Sequence, residues 1–404
     1  MEIKQFPKDW KKMKLIDISE SISAGGTPRR NKSEYWDNGT IPWLKISDMK
    51  NRYISKTKEK ITKEGLKNSS TKLFPVGTLV YSIFATLGAI GILKIESTTN
   101  QAIVGIIPKR NLIDTNYLYY CLIYSKDSIT AKKSHATQDN LNLTILKNHE
   151  ILVPPLQTQK QIVSILEKAE ILKQKREKSD KLTKEYLLSV FFDMFGDPDS
   201  NQKKLEVVPI GKYAKFQGGF AFKSKDFRKE GIKLVKITNV HYNKLIWEDI
   251  NYLPENYLER YEDFVLKNED IVMSMTRPII KSLDFVKIVR INKNDLPCLL
   301  NQRVGRFMIN KKYLNETYLL YFCYSDYFKR EVNKYCSTSL QPNISSTQVE
   351  SIKIPLSPLL LQNKFASIVE EVEKLKEKQK QSKEELNQMF DSLMKQAFNG
   401  ELIK

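Results

Sequence analysis

Two runs of cations each follow a glycine pair in this 404-residue chain. Arg29, Arg30 and Lys32 come after Gly25-Gly26, and Lys223, Lys225 and Arg228 come after Gly218-Gly219. A glycine turn lets charged side chains approach phosphate oxygens; the competing explanation is a solvated loop. Lys45 and Lys236 stand in strand-like contexts at matching places, suited either to contact with a nucleic acid or to simple surface exposure. Arg277, after Met273-Ser274-Met275-Thr276, is the better candidate for reading a base, because arginine to guanine is the commonest specific contact. The first half offers Thr86, beside Ala85, near the equivalent place. Asn100-Gln101 and Asn301-Gln302 carry amides able to grip adenine edges or backbone, but their presence in both halves favours a framework role. Gln138, Asn140, Gln341 and Asn343 are read in the same way, as a polar turn. The 19 tyrosines and 18 phenylalanines are assigned mostly to the core, not to stacking on flipped bases.

Catalytic chemistry finds little support. Four scattered cysteines, Cys121, Cys298, Cys323 and Cys336, form no Cys-x-x-Cys, and only three histidines are present. Those numbers argue against a disulfide framework, a zinc site and most acid–base schemes. Val153-Pro154-Pro155-Leu156 lacks the polar and aromatic partners of the Asn/Asp-Pro-Pro-aromatic motif that adenine methylation needs. The adjacent glycines of Phe216-Gln217-Gly218-Gly219-Phe220 have the wrong spacing for a cofactor-binding turn, and there is no Gly-x-x-x-x-Gly-Lys-Ser/Thr loop. Asp197-Pro198-Asp199 falls in a turn after a helix, without the lysine motif of a nuclease pair. No catalytic, cofactor-binding or metal-binding residue is therefore assigned. Residues 1–17 hold no apolar signal segment, and the longest apolar run, Leu79 to Leu93, spans 15 residues, too short to cross a membrane. That run reads as buried strands, and a reducing, cytoplasmic location is expected.

The elements that must position these residues are visible as a duplication. A formal charge of +19 implies a polyanionic partner, and it is unevenly spread: +10 over 1–150, 0 over 151–200, +8 over 201–351 and +1 over 352–404. A general lysine bias would not produce two basic blocks alternating with two neutral ones. Residues 151–200 and 352–404 match without a gap at an offset of 203, so that Val153-Pro154-Pro155-Leu156 faces Leu356-Ser357-Pro358-Leu359 and Phe195 faces Phe398. The basic blocks match more loosely, with Leu44-Lys45-Ile46-Ser47-Asp48 against Val235-Lys236-Ile237-Thr238-Asn239, at offsets that drift from 191 to 203. So long a period means two domain-plus-helix halves, not a solenoid.

Residues 157–195 contain neither proline nor glycine, and apolar or small residues recur at Ile165, Ala169, Leu172, Ser179, Tyr186 and Val190. The partner stretch shows Ile368, Val372, Leu375, Ser382, Leu386, Met389 and Leu393. Steps of three and four predict a coiled-coil seam, and the polar positions Arg176/Ser179 and Gln379/Ser382 suit a register-setting antiparallel pair. Ordinary amphipathic surface helices are the alternative. At 1.5 Å per residue such a helix is roughly 58 Å long, a spacer for DNA sites about one to one and a half helical turns apart.

On these residues the chain resembles the specificity subunit of Type I restriction–modification enzymes, over nearly its whole length. The resemblance is carried by Gly25-Gly26-Thr27-Pro28, Glu34-Tyr35-Trp36-Asp37 and Ile41-Pro42-Trp43-Leu44, and by Ile151-Leu152-Val153-Pro154-Pro155-Leu156 with Gln159-Lys160-Gln161-Ile162. Phe191 to Pro198, Ile354-Pro355-Leu356 and Phe398-Asn399-Gly400-Glu401-Leu402 complete it. It implies an α+β fold, with two mixed α/β, strand-rich target-recognition domains (1–150 and 199–353) joined by two long antiparallel coiled-coil helices (151–198 and 354–404) with pseudo-twofold symmetry. It also implies a non-catalytic subunit that binds double-stranded DNA with two modification (methyltransferase) subunits and, in the holoenzyme, two restriction (motor-nuclease) subunits. On this resemblance S-adenosylmethionine, ATP and magnesium belong to those partners, and this chain takes no cofactor. The second half departs from the pattern: Gly218-Gly219-Phe220-Ala221 replaces the Gly-Gly-Thr-Pro run, and the Tyr-Trp-Asp element is missing. An asymmetric, bipartite target for adenine methylation and restriction is therefore expected. The rivals are a self-contained enzyme, disfavoured above, and a coiled-coil scaffold whose basic domains bind nucleic acid without sequence specificity.

Overall fold

Strand Glu150–Val153 stops at Pro154-Pro155, and strand Lys353–Leu356 stops just before Pro358. Proline cannot continue the strand but is compatible with the first turn of a helix, and in each case a 40-residue helix follows: Leu156–Phe195 and Leu359–Phe398. Neither helix contains an internal proline or glycine. Both give way to a glycine in the left-handed region, Gly196 at φ +78° and Gly400 at φ +74°. The computed structural model describes residues 7–84, 86–131, 141–280, 285–336 and 342–403.

By its internal contacts the chain divides into two units, Met1–Glu177 with Gln381–Lys404, and Lys178–Lys380. The division cuts both long helices, so each unit is one strand-rich domain plus half of each helix. This differs from four consecutive segments, because each half-helix is packed into the core of the domain beside it.

In the first unit a five-stranded sheet runs in the order Ser19–Ala24, Ile103–Pro108, Leu79–Ser82, Ile90–Leu93, Tyr53–Ile54. A four-stranded sheet follows the order Glu59–Ile61, Ile41–Leu44, Ser97–Thr99, Leu73–Phe74. Lys11–Lys14 pairs antiparallel with Glu150–Val153 at the foot of the first long helix. Helix Thr115–Tyr124, capped by the Asp114 carboxylate, packs Tyr117, Leu118 and Leu122 into the core. The apolar run 79–93 becomes two strands joined by a short turn, as its residues predict.

The second unit repeats this plan. Its four-stranded sheet has the order Ala214–Gly218, Val304–Ile309, Ile271–Ser274, Ile288–Arg290, and its three-stranded sheet the order Tyr252–Leu253, Ile232–Val235, Cys298–Leu300. In both units one pair of the smaller sheet is parallel, Trp43-Leu44 with Thr98-Thr99 and Lys233–Val235 with Cys298–Leu300. Among the described residues the second unit adds two short antiparallel strand pairs, Val240-His241 with Lys244-Leu245 and Ile279-Ile280 with Phe285-Val286. The four cysteines are free and buried within these domains.

Within each unit the two half-helices run antiparallel. In the first, Ile162, Val163 and Leu166 share a core with Met394, Ala397 and Phe398, while further along the Lys173 ammonium lies 4.5 Å from the Phe390 ring. In the second, Phe191 and Phe195 pack on Phe365, and Gln379 Nε2 donates to Thr183 Oγ1 at 3.2 Å. The heptad seam does not hold throughout: Leu172, Leu375 and Tyr186 are about half exposed, at 47%, 48% and 52%. Near their ends the helices lie on the domains, so Ile162, Val163, Leu166, Leu187 and Phe191 are chosen for burial instead of a single stripe. Among the described residues, no helix is long and apolar enough to cross a membrane.

Candidate nucleic-acid interface

Each domain is clamped to its helix by the same set of bonds. Gln159, in the first turn of the first long helix and fully buried, accepts from the Asp114 amide (2.7 Å) and donates to the carbonyls of Leu112 (2.9 Å) and Pro154 (2.8 Å). Gln362, also fully buried, accepts from the Asn315 amide (2.8 Å) and donates to the carbonyls of Tyr313 (3.1 Å) and Ser357 (2.7 Å). Tyr117 and Tyr318 hydroxyls donate to the Leu152 and Pro355 carbonyls. In the first unit Arg52 adds ion pairs to Glu167 (2.9 Å) and Glu170 (3.2 Å) on the helix. Whatever the domains carry on their surfaces is thereby held on the helices.

The glycine pairs act through close approach, not through a flexible turn. A Cβ on Gly25 would lie 2.2 Å from the Thr99 carbonyl oxygen, and one on Gly219 would lie 2.2 Å from that of Asn301. Asn100-Gln101 and Asn301-Gln302 belong to the same junction. Asn100 Oδ1 accepts from the Ala102 amide (3.2 Å), Gln101 accepts from the Thr27 hydroxyl, and the Asn301 and Gln302 amides donate to Val235 and Phe220 carbonyls. These contacts are internal.

The predicted cations fall into two groups. Lys45 is ion-paired with Glu59, and Lys236 with Asp249 at 3.0 Å, so both lysines are held inside their own domain. Arg30 also binds Glu59 (2.6 Å) and lies over the rings of Trp36 (3.7 Å) and Trp43 (4.6 Å). Partial burial works against the Glu59 charge, but Lys45 and Arg30 outweigh it and hold the carboxyl below its usual range. Lys32 pairs with Glu34 at 3.2 Å. Arg228 donates to the nearby carbonyls of Lys225 (3.2 Å) and Phe227 (3.0 Å). By contrast Arg29, Lys223 and Lys225 are exposed, and no carboxylate pairs with them among the described residues.

Arg277 is the most constrained. Its φ of +48° lies in the left-handed region, uncommon for any residue other than glycine. Its amide donates to the Pro342 carbonyl (2.7 Å), Thr276 Oγ1 donates to Asn343 Oδ1 (2.5 Å), and the Ile344 amide donates to Met275 (2.9 Å). Asn343 is therefore a brace for the arginine turn; Gln138, Asn140 and Gln341 lie outside the described residues. Arg277 itself is exposed and projects from the start of the longer hairpin. Thr86 is exposed in the corresponding short turn of the first unit, where its carbonyl accepts from the Ser82 hydroxyl.

Three groups, one of them beside Arg277, escaped sequence reasoning. The Lys287 amide donates to the Pro278 carbonyl (2.6 Å), and the Lys287 ammonium is pushed below its usual range by half-burial and by the Arg277 charge. His241 is pushed down by burial and then by Lys244 and Lys287. Arg277, Lys287, Lys244 and His241 thus form one electropositive patch with no carboxylate partner among the described residues. The first unit differs here. The Ser82 amide meets the Ala89 carbonyl where the Ser274 amide meets that of Lys287, so alanine stands in the lysine's place. A turn at Tyr242-Asn243 is legible in sequence; that it folds beside Lys287 is not.

A family model for the Type I restriction modification DNA specificity domain matches the chain twice, at residues 7–184 and 202–388. The specificity subunit of the MjaVIII Type I restriction enzyme of Methanocaldococcus jannaschii is 29% identical over 409 residues, covering 98% of this chain and 93% of that one. A solved chain from work on complex assembly and conformational transition of the type I R-M system superposes with a TM-score of 0.65 at 18% identity, covering 98% of this chain and all of that one. The S subunit of a Type I restriction–modification system from M. genitalium gives 0.52 at 13% identity, with 98% of each covered. The last two likenesses concern the fold. The doubled domain, the two long helices and the two family matches lead to one assignment: this chain belongs to the family of Type I restriction modification DNA specificity domains.

Proposed function

We propose that the chain is the non-catalytic, DNA-reading subunit of a Type I restriction–modification complex, and that its two units read two different half-sites of one gapped target. The observation that supports this reading is a single scaffold used twice with unlike surfaces at the same place. Arg277 and Lys287 stand in the second unit where the first has the Thr86 turn and Ala89. An arginine fixed on a braced turn suits a bidentate contact to guanine, while exposed Arg29, Lys223 and Lys225 suit phosphate. Two modification subunits carrying S-adenosylmethionine would methylate adenines in that target. Restriction subunits using ATP and magnesium would act from the same assembly. The test is base-resolution mapping of methylated adenines in cells with and without the gene. Loss of one gapped motif with unlike halves is expected; an unchanged methylation map would overturn the reading.

A further inference from the structure

The two short hairpins of the second unit are sewn together. The Asn243 amide donates to the Ile288 carbonyl (3.0 Å), Tyr324 Oη donates to Asn243 Oδ1 (3.0 Å), and the Tyr242 ring stacks on Phe285 at 4.2 Å. His241 and Lys244 are cross-strand partners on one hairpin, and Lys287 leads out of the other beside Arg277. Like charges gathered with no counter-ion among the described residues raise one another's free energy, and an anion placed among them relieves it. Among the described residues the first unit shows no counterpart to this arrangement.

We propose that His241, Lys244 and Lys287 seat one phosphodiester anion of the target duplex, and that His241 takes up a proton when the phosphate arrives. The proposal rests on the DNA-reading function above and adds the ligand of these three side chains. Among the described residues, no carboxylate bears on His241. Strand Ile271–Ser274 brings no titratable group, Arg290 on the neighbouring strand is engaged by Glu269 (3.0 Å) and Thr317 (2.7 Å), and burial keeps the phenols of Tyr242 and Tyr324 neutral. In the free protein burial, Lys244 and Lys287 bias the imidazole toward its neutral form; a bound phosphate reverses that bias. Binding linked to one proton strengthens on acidification, by up to about tenfold per pH unit.

The test uses the full chain assembled with its modification subunits, on a duplex bearing the mapped target, with affinity measured from pH 6 to pH 8 and over a range of salt. Wild type should bind more tightly as pH falls, and His241→Gln should flatten that profile. Lys287→Met and Lys244→Met should each lower the slope of log K against log salt, by about 0.9 between them, the value for one phosphate contact. A single methylphosphonate in the second half-site should reproduce both effects at one position only. A pH profile unchanged in His241→Gln, or salt slopes unchanged in both lysine variants, overturns the phosphate seat while leaving target recognition standing. Equal binding of target and unrelated duplexes by the wild-type complex overturns both.

Discussion

Arg277 and Lys45 show how the same charge comes to serve different ends. Arg277 lies on a left-handed turn held by Pro342 and Asn343, with its guanidinium exposed. Arg277→Ala should cost about 1–3 kcal/mol in discrimination at a single base pair, seen as relaxed sequence preference at one position of the second half-site. Lys45→Met should leave half-site preference unaltered, because Lys45 is engaged with Glu59. Its effect should appear in stability against acid. Glu59 is held below its usual range, so the stabilisation is present above the ordinary carboxylate pKa and is lost as pH falls through the lowered value. Thermal melts of Lys45→Met and Glu59→Gln below pH 5 should show a shallower decline than wild type. Lys45 and Lys236 do follow equivalent strands, but their partners, Glu59 at the start of another strand and Asp249 in a bend, lie more than a dozen residues away, and pairing of that kind leaves no local periodicity.

At the level of elements, the first proline-bounded helix was legible, since nothing in 157–195 interrupts it, whereas the second, Leu359–Phe398, is shorter than the 354–404 expected. The seam was legible only in part: Leu172 and Leu375 are half exposed because the domains, not only the partner helix, select which face is buried. Gln159 was read only as part of the Gln159-Lys160-Gln161-Ile162 run and Gln362 was not singled out, yet each reaches three backbone groups of a neighbouring loop and strand end. Gln159→Leu leaves two carbonyls and one amide without partners in a dry site, a cost of about 3 kcal/mol or more. Amide exchange should accelerate in strand Ile103–Pro108 and remain unchanged in Val304–Ile309. Equal acceleration in both strands would show that the clamp does not act domain by domain.

For the whole molecule, helix length is the quantity proposed to set the gap in the target. Removing one heptad from each long helix shortens it by about 10 Å, or roughly three base pairs, and should shift the gap in the methylated motif while both half-sites keep their letters. A motif with an unaltered gap would refute this. The duplication in sequence foretold two similar domains, but not that Met394, Ala397 and Phe398 would complete the core of the first one. That core is discontinuous: its two stretches are separated by the whole of Lys178–Lys380. A ribosome adding about 5–20 residues per second makes the intervening segment in roughly 10–40 s. Throughout that interval Tyr117, Leu118, Ile162 and Leu166 wait for their last neighbours, while the second unit, being continuous, is free to fold. A chain ending before residue 381 therefore lacks the side chains that complete the first core, and its first domain should be cleaved by proteases faster than in the full chain.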